Sequence, residues 1–69
     1  MFIISDNIMY NTDYISTIGY SEDVECIFIQ TPDNKEGITI YSGKNIKEIF
    51  IEIQVALTSG KKIYKIPKD

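Results

Sequence analysis

Residues 45–60 have the sequence NIKEIFIEIQVALTSG, and this stretch decides the fold. Its large apolar side chains recur three or four positions apart, which is the period of one face of an α-helix. Asn45 precedes the run and Glu48 lies three residues later, as at a capped helix N-terminus. Gly60 follows the run and can adopt the left-handed conformation that ends a helix. The spacing predicts one amphipathic helix whose buried stripe is Ile46, Ile49, Phe50, Ile53 and Leu57.

Short apolar runs alternate with turn-forming residues in the chain before this helix. The predicted strands are 2–4, 8–10, 14–20, 24–30 and 38–41. Asp6 and Asn7 lie between the first two runs, which favours a small hairpin. The third run does not alternate cleanly, because Ile15 and Ile18 are three residues apart. A bulge near Gly19 would restore the alternation of a strand.

The segment 24–30 is the strongest strand in the sequence. Val24, Cys26 and Phe28 share one face, and the other face carries two isoleucines, Ile27 and Ile29. Because both faces are partly apolar, the strand is expected at the centre of a sheet. Its alternation with two apolar neighbours also predicts that Cys26 lies in the core.

These elements predict an α+β fold. It is a small antiparallel β-meander of about five strands, covered on one face by a single C-terminal amphipathic α-helix. Residues 63–66 can add a final short edge strand, since Pro67 confines a strand to an edge or to its end. The 69 residues are expected to form a single domain, 1–69.

The side-chain inventory predicts a protein that is not an enzyme. The chain has no histidine and no arginine, and Cys26 is its one cysteine. The sequence therefore indicates no catalytic residue and no cofactor-binding site. A metal is not expected, because structural zinc prefers sulfur and nitrogen ligands. The lone thiol predicts a cytoplasmic location, and no apolar run is long enough to span a membrane.

Charge is distributed unevenly along the chain. Residues 1–34 contain six acidic residues and no lysine, whereas residues 35–69 contain seven lysines and four acidic residues. One interpretation is that the two halves attract each other within the fold. The other is that Glu22, Asp23 and Glu25 meet a basic partner. A nucleic acid is disfavoured as a partner, because its phosphates require a concentrated basic face.

Two apolar residues of the predicted helix point away from the buried stripe. Ile51 and Val55 are four residues apart, so they are neighbours on the helix surface. They could be isolated exposed residues, or residues 61–69 could cover them. They could also contact another chain. With the acidic cluster, the candidate interface residues are Ile51, Val55, Glu22, Asp23 and Glu25.

The sequence predicts a non-catalytic protein–protein interaction protein, with a protein partner or with self-association. The excess of isoleucine and lysine over arginine is typical of an AT-rich genome. It favours a small accessory protein or a phage-encoded inhibitor of a larger host protein. Two alternatives stay open. One is a homo-oligomeric structural or regulatory adaptor, and the other is a small-ligand-binding module formed at an oligomer interface.

Overall fold

The computed structural model describes residues 1–68 and contains six strands and one α-helix. The α+β class predicted from the sequence is confirmed. The elements are β1 (Phe2–Ser5), β2 (Ile8–Asn11), β3 (Thr17–Ser21), β4 (Cys26–Thr31), β5 (Asn34–Ser42), α1 (Ile46–Thr58) and β6 (Ile63–Lys65). A short 3-10 turn, Thr12–Tyr14, lies between β2 and β3.

The strands form two sheets of three strands, and not one five-stranded meander. The meander sheet has the order β3-β4-β5, and all of its strands are antiparallel. The hairpin sheet has the order β2-β1-β6, in which β6 runs parallel to β1. Phe2 N donates to Lys62 O at 2.8 Å, and Ile66 N donates to Ile4 O at 2.8 Å. The helix is therefore followed by a strand that is paired with the start of the chain.

The helix buries most of the predicted stripe: Phe50 is half-buried against the core, and Ala56 takes the place of Leu57. Its buried residues are Ile46, Ile49, Ile53 and Ala56. Leu57, predicted in the core, is 42% exposed. The 3-4-3 spacing of the buried residues follows a nearly straight line along a helix, and Ala56 continues that line. Leu57 was predicted as buried because its apolar side chain is larger than that of Ala56. The helix, however, comes closest to the sheets along the line that passes through Ala56.

The central strand β4 faces the core with its isoleucines. Ile27 and Ile29 are fully buried, whereas Cys26 is only half-buried, so the placement of Cys26 in the core was wrong. Val24 lies in the turn before β4 and is exposed. The alternation of the strand was predicted correctly. Because both of its faces carry apolar residues, the alternation does not show which face packs against the helix. The central position of the strand is confirmed.

The irregularity of the meander sheet lies in β5 and not near Gly19. Strands β3 and β4 pair without a register shift, and Gly19 lies opposite Phe28. Between β4 and β5 the register shifts after Ile27, which leaves Ile40 as an extra residue. A bulge of this kind turns two successive side chains to similar directions. Ile40 and Tyr41 are consequently both buried.

The two ends of α1 differ in how they are formed. Asn45 precedes the helix, but its side chain makes no capping hydrogen bond, so the predicted capping arrangement is not formed. At the other end, Gly60 has φ +76° and Lys61 N donates to Ala56 O at 3.1 Å. This is the hydrogen bond of a left-handed helix cap, as the sequence predicted.

Replacing Gly60 should weaken this cap. A side chain in the left-handed region costs about 1 kcal/mol or more relative to glycine. We expect Gly60→Ala to lower the free energy of unfolding by about 1 kcal/mol in urea denaturation. Lys61→Ala, at the next residue, is the control and should change it by less, because Lys61 is exposed and its backbone is not in the left-handed region. Equal stability of Gly60→Ala and the wild type would contradict this account of the helix end.

Candidate protein-interaction surface

The outer face of α1 carries two exposed apolar residues. Ile51 and Val55 are each 57% exposed. Successive helical residues are about 100° apart, so Ile51 lies opposite both Ile49 and Ile53, which are buried. Residues 61–68 therefore do not cover this pair. Of the alternatives that the sequence left open, cover by the C-terminal segment is excluded for these residues.

A hydrogen bond between α1 and β6 helps to fix the rotation of the helix. Tyr64 lies opposite Ile3 in the hairpin sheet, and its hydroxyl donates to Glu52 Oε1 at 3.1 Å. Burial and the neighbouring Glu52 carboxylate together raise the pKa of Tyr64 to about 12. The hydroxyl consequently stays protonated at neutral pH and can keep donating to Glu52. Since Glu52 is held towards β6, its neighbour Ile51 is held on the outer face.

The acidic residues Glu22, Asp23 and Glu25 lie in the turn that joins β3 to β4. Ser21 pairs with Cys26 across the base of this turn. Glu25 has φ +48°, and its carbonyl oxygen accepts a hydrogen bond from Gly43 N at 3.0 Å. Because residue 43 lies shortly before the helix, this bond holds the acidic turn beside the start of α1.

An ion pair brings one member of the acidic cluster to the helix surface. Glu22 Oε1 lies 2.8 Å from Lys47 Nζ, in the first turn of α1. A hydrogen bond and the charge of Glu22 raise the pKa of Lys47 above its ordinary value of 10.5. Lys47 is one helical turn before Ile51, so the predicted residues Glu22, Ile51 and Val55 follow one line on the surface. Asp23 and Glu25 are exposed in the same turn.

Both ion pairs among the described residues join the acidic half of the sequence to the basic half. One is Glu22–Lys47, and the other joins Lys68 Nζ to Asp6 Oδ1 at 3.6 Å. Acidic side chains near a helix N-terminus also interact favourably with the helix dipole. These contacts favour the interpretation that the two halves attract each other. Neither ion pair involves Asp23 or Glu25, which remain candidates for contact with a partner.

A second apolar surface, which was not predicted from the sequence, lies on the outer face of the hairpin sheet. Residues that pair across strands share a face, and Ile3 faces the core, so its neighbours Phe2 and Ile4 face outwards. Phe2 pairs with Ile63, and Ile4 pairs with Met9. Met9 and Ile63 are more than half exposed. The continuous apolar run at residues 2–4 was the available signal, because such runs are typical of strands covered on both faces.

The chemistry of the part of the chain that the structure describes is that of an open surface. Within residues 1–68, no polar or charged residue is buried, and no three acidic or cysteine side chains are grouped as metal ligands. A shallow cleft at the start of α1 is lined by charges of both signs, including Glu22, Glu25, Lys44 and Lys47. In the same residues, α1 is too short to cross a membrane.

Comparisons with known proteins do not assign the chain to a family. No protein-family model matches it, and neither a curated protein nor a solved structure does so. The surface of α1 is therefore the basis for proposing a function.

The Tyr64–Glu52 contact predicts a specific pH dependence. The folded-state pKa is raised from 10.0 to about 12, so this stabilisation is complete below pH 10 and is lost as the pH rises towards 12. We expect Tyr64→Phe to lower the free energy of unfolding by about 1 kcal/mol at neutral pH. The variant should also show a smaller decrease in that free energy as the pH rises above 10. Urea denaturation at several pH values measures both effects. Tyr14→Phe, at an exposed site, is the control. Parallel pH profiles for Tyr64→Phe and the wild type would contradict the assignment.

Proposed function

We propose that this chain is a non-catalytic protein–protein interaction domain that binds its partner through the outer face of α1. The exposure of Ile51 and Val55 on the side opposite the core carries the proposal. Exposed neighbouring apolar residues on a small domain are typical of binding surfaces. The flanking Lys47 and the acidic turn give this face a polar rim, as interfaces usually have.

The raised pKa values of Lys47 and Tyr64 fit structural roles for these two groups. A general acid or base works best when its pKa lies near neutral pH. The pKa values of Lys47 and Tyr64 are both raised further above neutral pH. Both are therefore protonated under physiological conditions and serve as hydrogen-bond donors to carboxylates within the fold.

The specific form of the proposal is a small accessory protein or a phage-encoded inhibitor of a larger host protein. The AT-rich composition supports this origin, and a single free cysteine suits a reducing cytoplasm. A homo-oligomeric adaptor is the second candidate, because the outer face of α1 could equally bind another copy. The third candidate is a small-ligand site lined by tyrosines at the interface between two such copies. It requires that the chain forms a homo-oligomer.

Ile51→Glu tests the surface directly. At a 57% exposed site, the substitution should change stability by no more than about 0.5 kcal/mol. It should weaken binding to the partner about tenfold or more, because it places a charge in the apolar centre of the contact. The measurement is quantitative capture from a lysate of a low-GC bacterium, comparing proteins retained by the wild type and by the variant.

Two control variants make the result specific. Ile8→Glu adds the same charge and removes an isoleucine of similar exposure, 55%, from β2, away from α1. Ile63→Glu removes an isoleucine of similar exposure, 53%, from the outer face of the hairpin sheet. Both should retain the partner. If Ile63→Glu loses the partner and Ile51→Glu keeps it, the hairpin sheet is the binding surface and the proposal is wrong.

A further inference from the structure

We propose that the outer face of α1 binds a segment of another protein that is both basic and apolar, with a lysine or arginine side chain placed in the cleft at the start of the helix. This inference rests on the proposed function, because it names the chemistry of the partner at the same surface. The cleft has a volume of about 460 Å³, and its charged lining residues are Glu22, Glu25, Lys44, Lys47 and Glu48.

The cleft borders the apolar part of the surface. Lys47 and Glu48 lie in the first turn of α1, four and three residues before Ile51. Residues three and four apart are neighbours on a helix surface, so both of these cleft residues adjoin Ile51. Val55 lies one further turn along, because it is four residues after Ile51. A segment that lies along the outer face of α1 therefore contacts the cleft and both apolar side chains.

Two carboxylates in the lining of the cleft belong to no ion pair within residues 1–68. The ion pair at this end of the helix joins Glu22 to Lys47, and the other ion pair lies at Asp6. Glu25 and Glu48 are therefore not neutralised by a lysine of the fold, and both residues are exposed. Their carboxylates are accessible to a cation from another chain.

The charge of this end stays negative when the lysines and the helix dipole are counted. Asp23, in the same turn as Glu25, adds a third carboxylate that is exposed and outside the ion pairs of residues 1–68. Opposed to these three are Lys44 and about half a positive charge from the start of α1. More than one negative charge remains. This excess attracts a basic group, and it repels the phosphates of a nucleic acid or of an anionic membrane.

The apolar pair and the cleft each contribute too little to hold a partner alone. Ile51 and Val55 are two side chains, and a standard interface covers about 800 Å² on each partner. An exposed ion pair contributes only about 0–1 kcal/mol. A partner that uses both has apolar side chains against Ile51 and Val55 and a cation about one helical turn away. Its affinity is expected to fall as salt concentration rises, because the charged part of the contact is exposed.

Selection of random displayed peptides on the full chain tests the chemistry of the partner. The retained sequences should combine lysine or arginine with large apolar residues and should contain few acidic residues. One of these peptides is then synthesised, and its dissociation constant is measured for the wild type and for variants. Glu25→Lys combined with Glu48→Lys should raise the dissociation constant about tenfold or more in low salt, because it places like charges in contact.

A matched double variant controls for the overall change in charge. Asp33→Lys combined with Glu36→Lys changes the net charge by the same amount at exposed residues of the β4–β5 turn and of β5. It should bind the peptide about as tightly as the wild type. Circular dichroism checks that each variant is folded. A salt titration of the wild type needs no variant, and an affinity that does not fall with added salt overturns the inference.

The outcomes separate the inference from the proposed function. Retained peptides that require Ile51 but lack basic residues overturn the inference and leave the proposed function standing. The same holds if the cleft variant and its matched control bind the peptide equally well. Peptides that bind Ile51→Glu as tightly as the wild type overturn both, because another surface then binds them. A selection that retains no peptide overturns the inference, and capture from the lysate still decides the proposed function.

Discussion

The packing of one edge of α1 against both sheets is the interaction on which the rest of the structure depends. Ile49, Ile53 and Ala56 form that edge, and the fully buried strand residues Ile3, Ile27 and Ile29 belong to the same core. Burying a side chain of this size contributes roughly 1.5–3 kcal/mol. Because the edge is narrow and straight, it sets the rotation of the helix. The residues on the opposite side are consequently presented to solvent.

That rotation determines which helix residues are available to a partner. Ile51 is held on the outer face of α1 because its neighbour Glu52 is held towards β6 by the hydrogen bond from Tyr64. The acidic turn is anchored beside the start of α1 by a backbone hydrogen bond and by an ion pair. The outer face of α1 therefore has an apolar centre, Ile51 and Val55, and the acidic turn lies beside the start of the helix. That surface is the basis of the proposed binding role.

The local structure could be predicted from the sequence because local signals encode it. The helix, the hairpin at Asp6 and the cap at Gly60 each depend on residues a few positions apart. The pairing of β6 with β1 joins segments about sixty residues apart, and no periodicity reports such a contact. The prediction that Leu57 is buried was wrong because it relied on the larger apolar side chain. The shape of the opposing sheets determines which residue packs there, and that residue is Ala56. The helical period placed Ile51 and Val55 opposite the buried stripe, but it could not exclude cover by the C-terminal segment, so their exposure is known only from the structure.

Solvent accessibility of the isoleucine methyl groups tests the central claim most directly. A soluble paramagnetic agent can be titrated into dilute protein whose isoleucine methyls are carbon-13 labelled. The account predicts strong relaxation enhancement for the methyl of Ile51 and little for those of Ile49 and Ile53. Protection of Ile51 together with strong enhancement at Ile53 would mean that the helix packs with another edge, and the account would be contradicted.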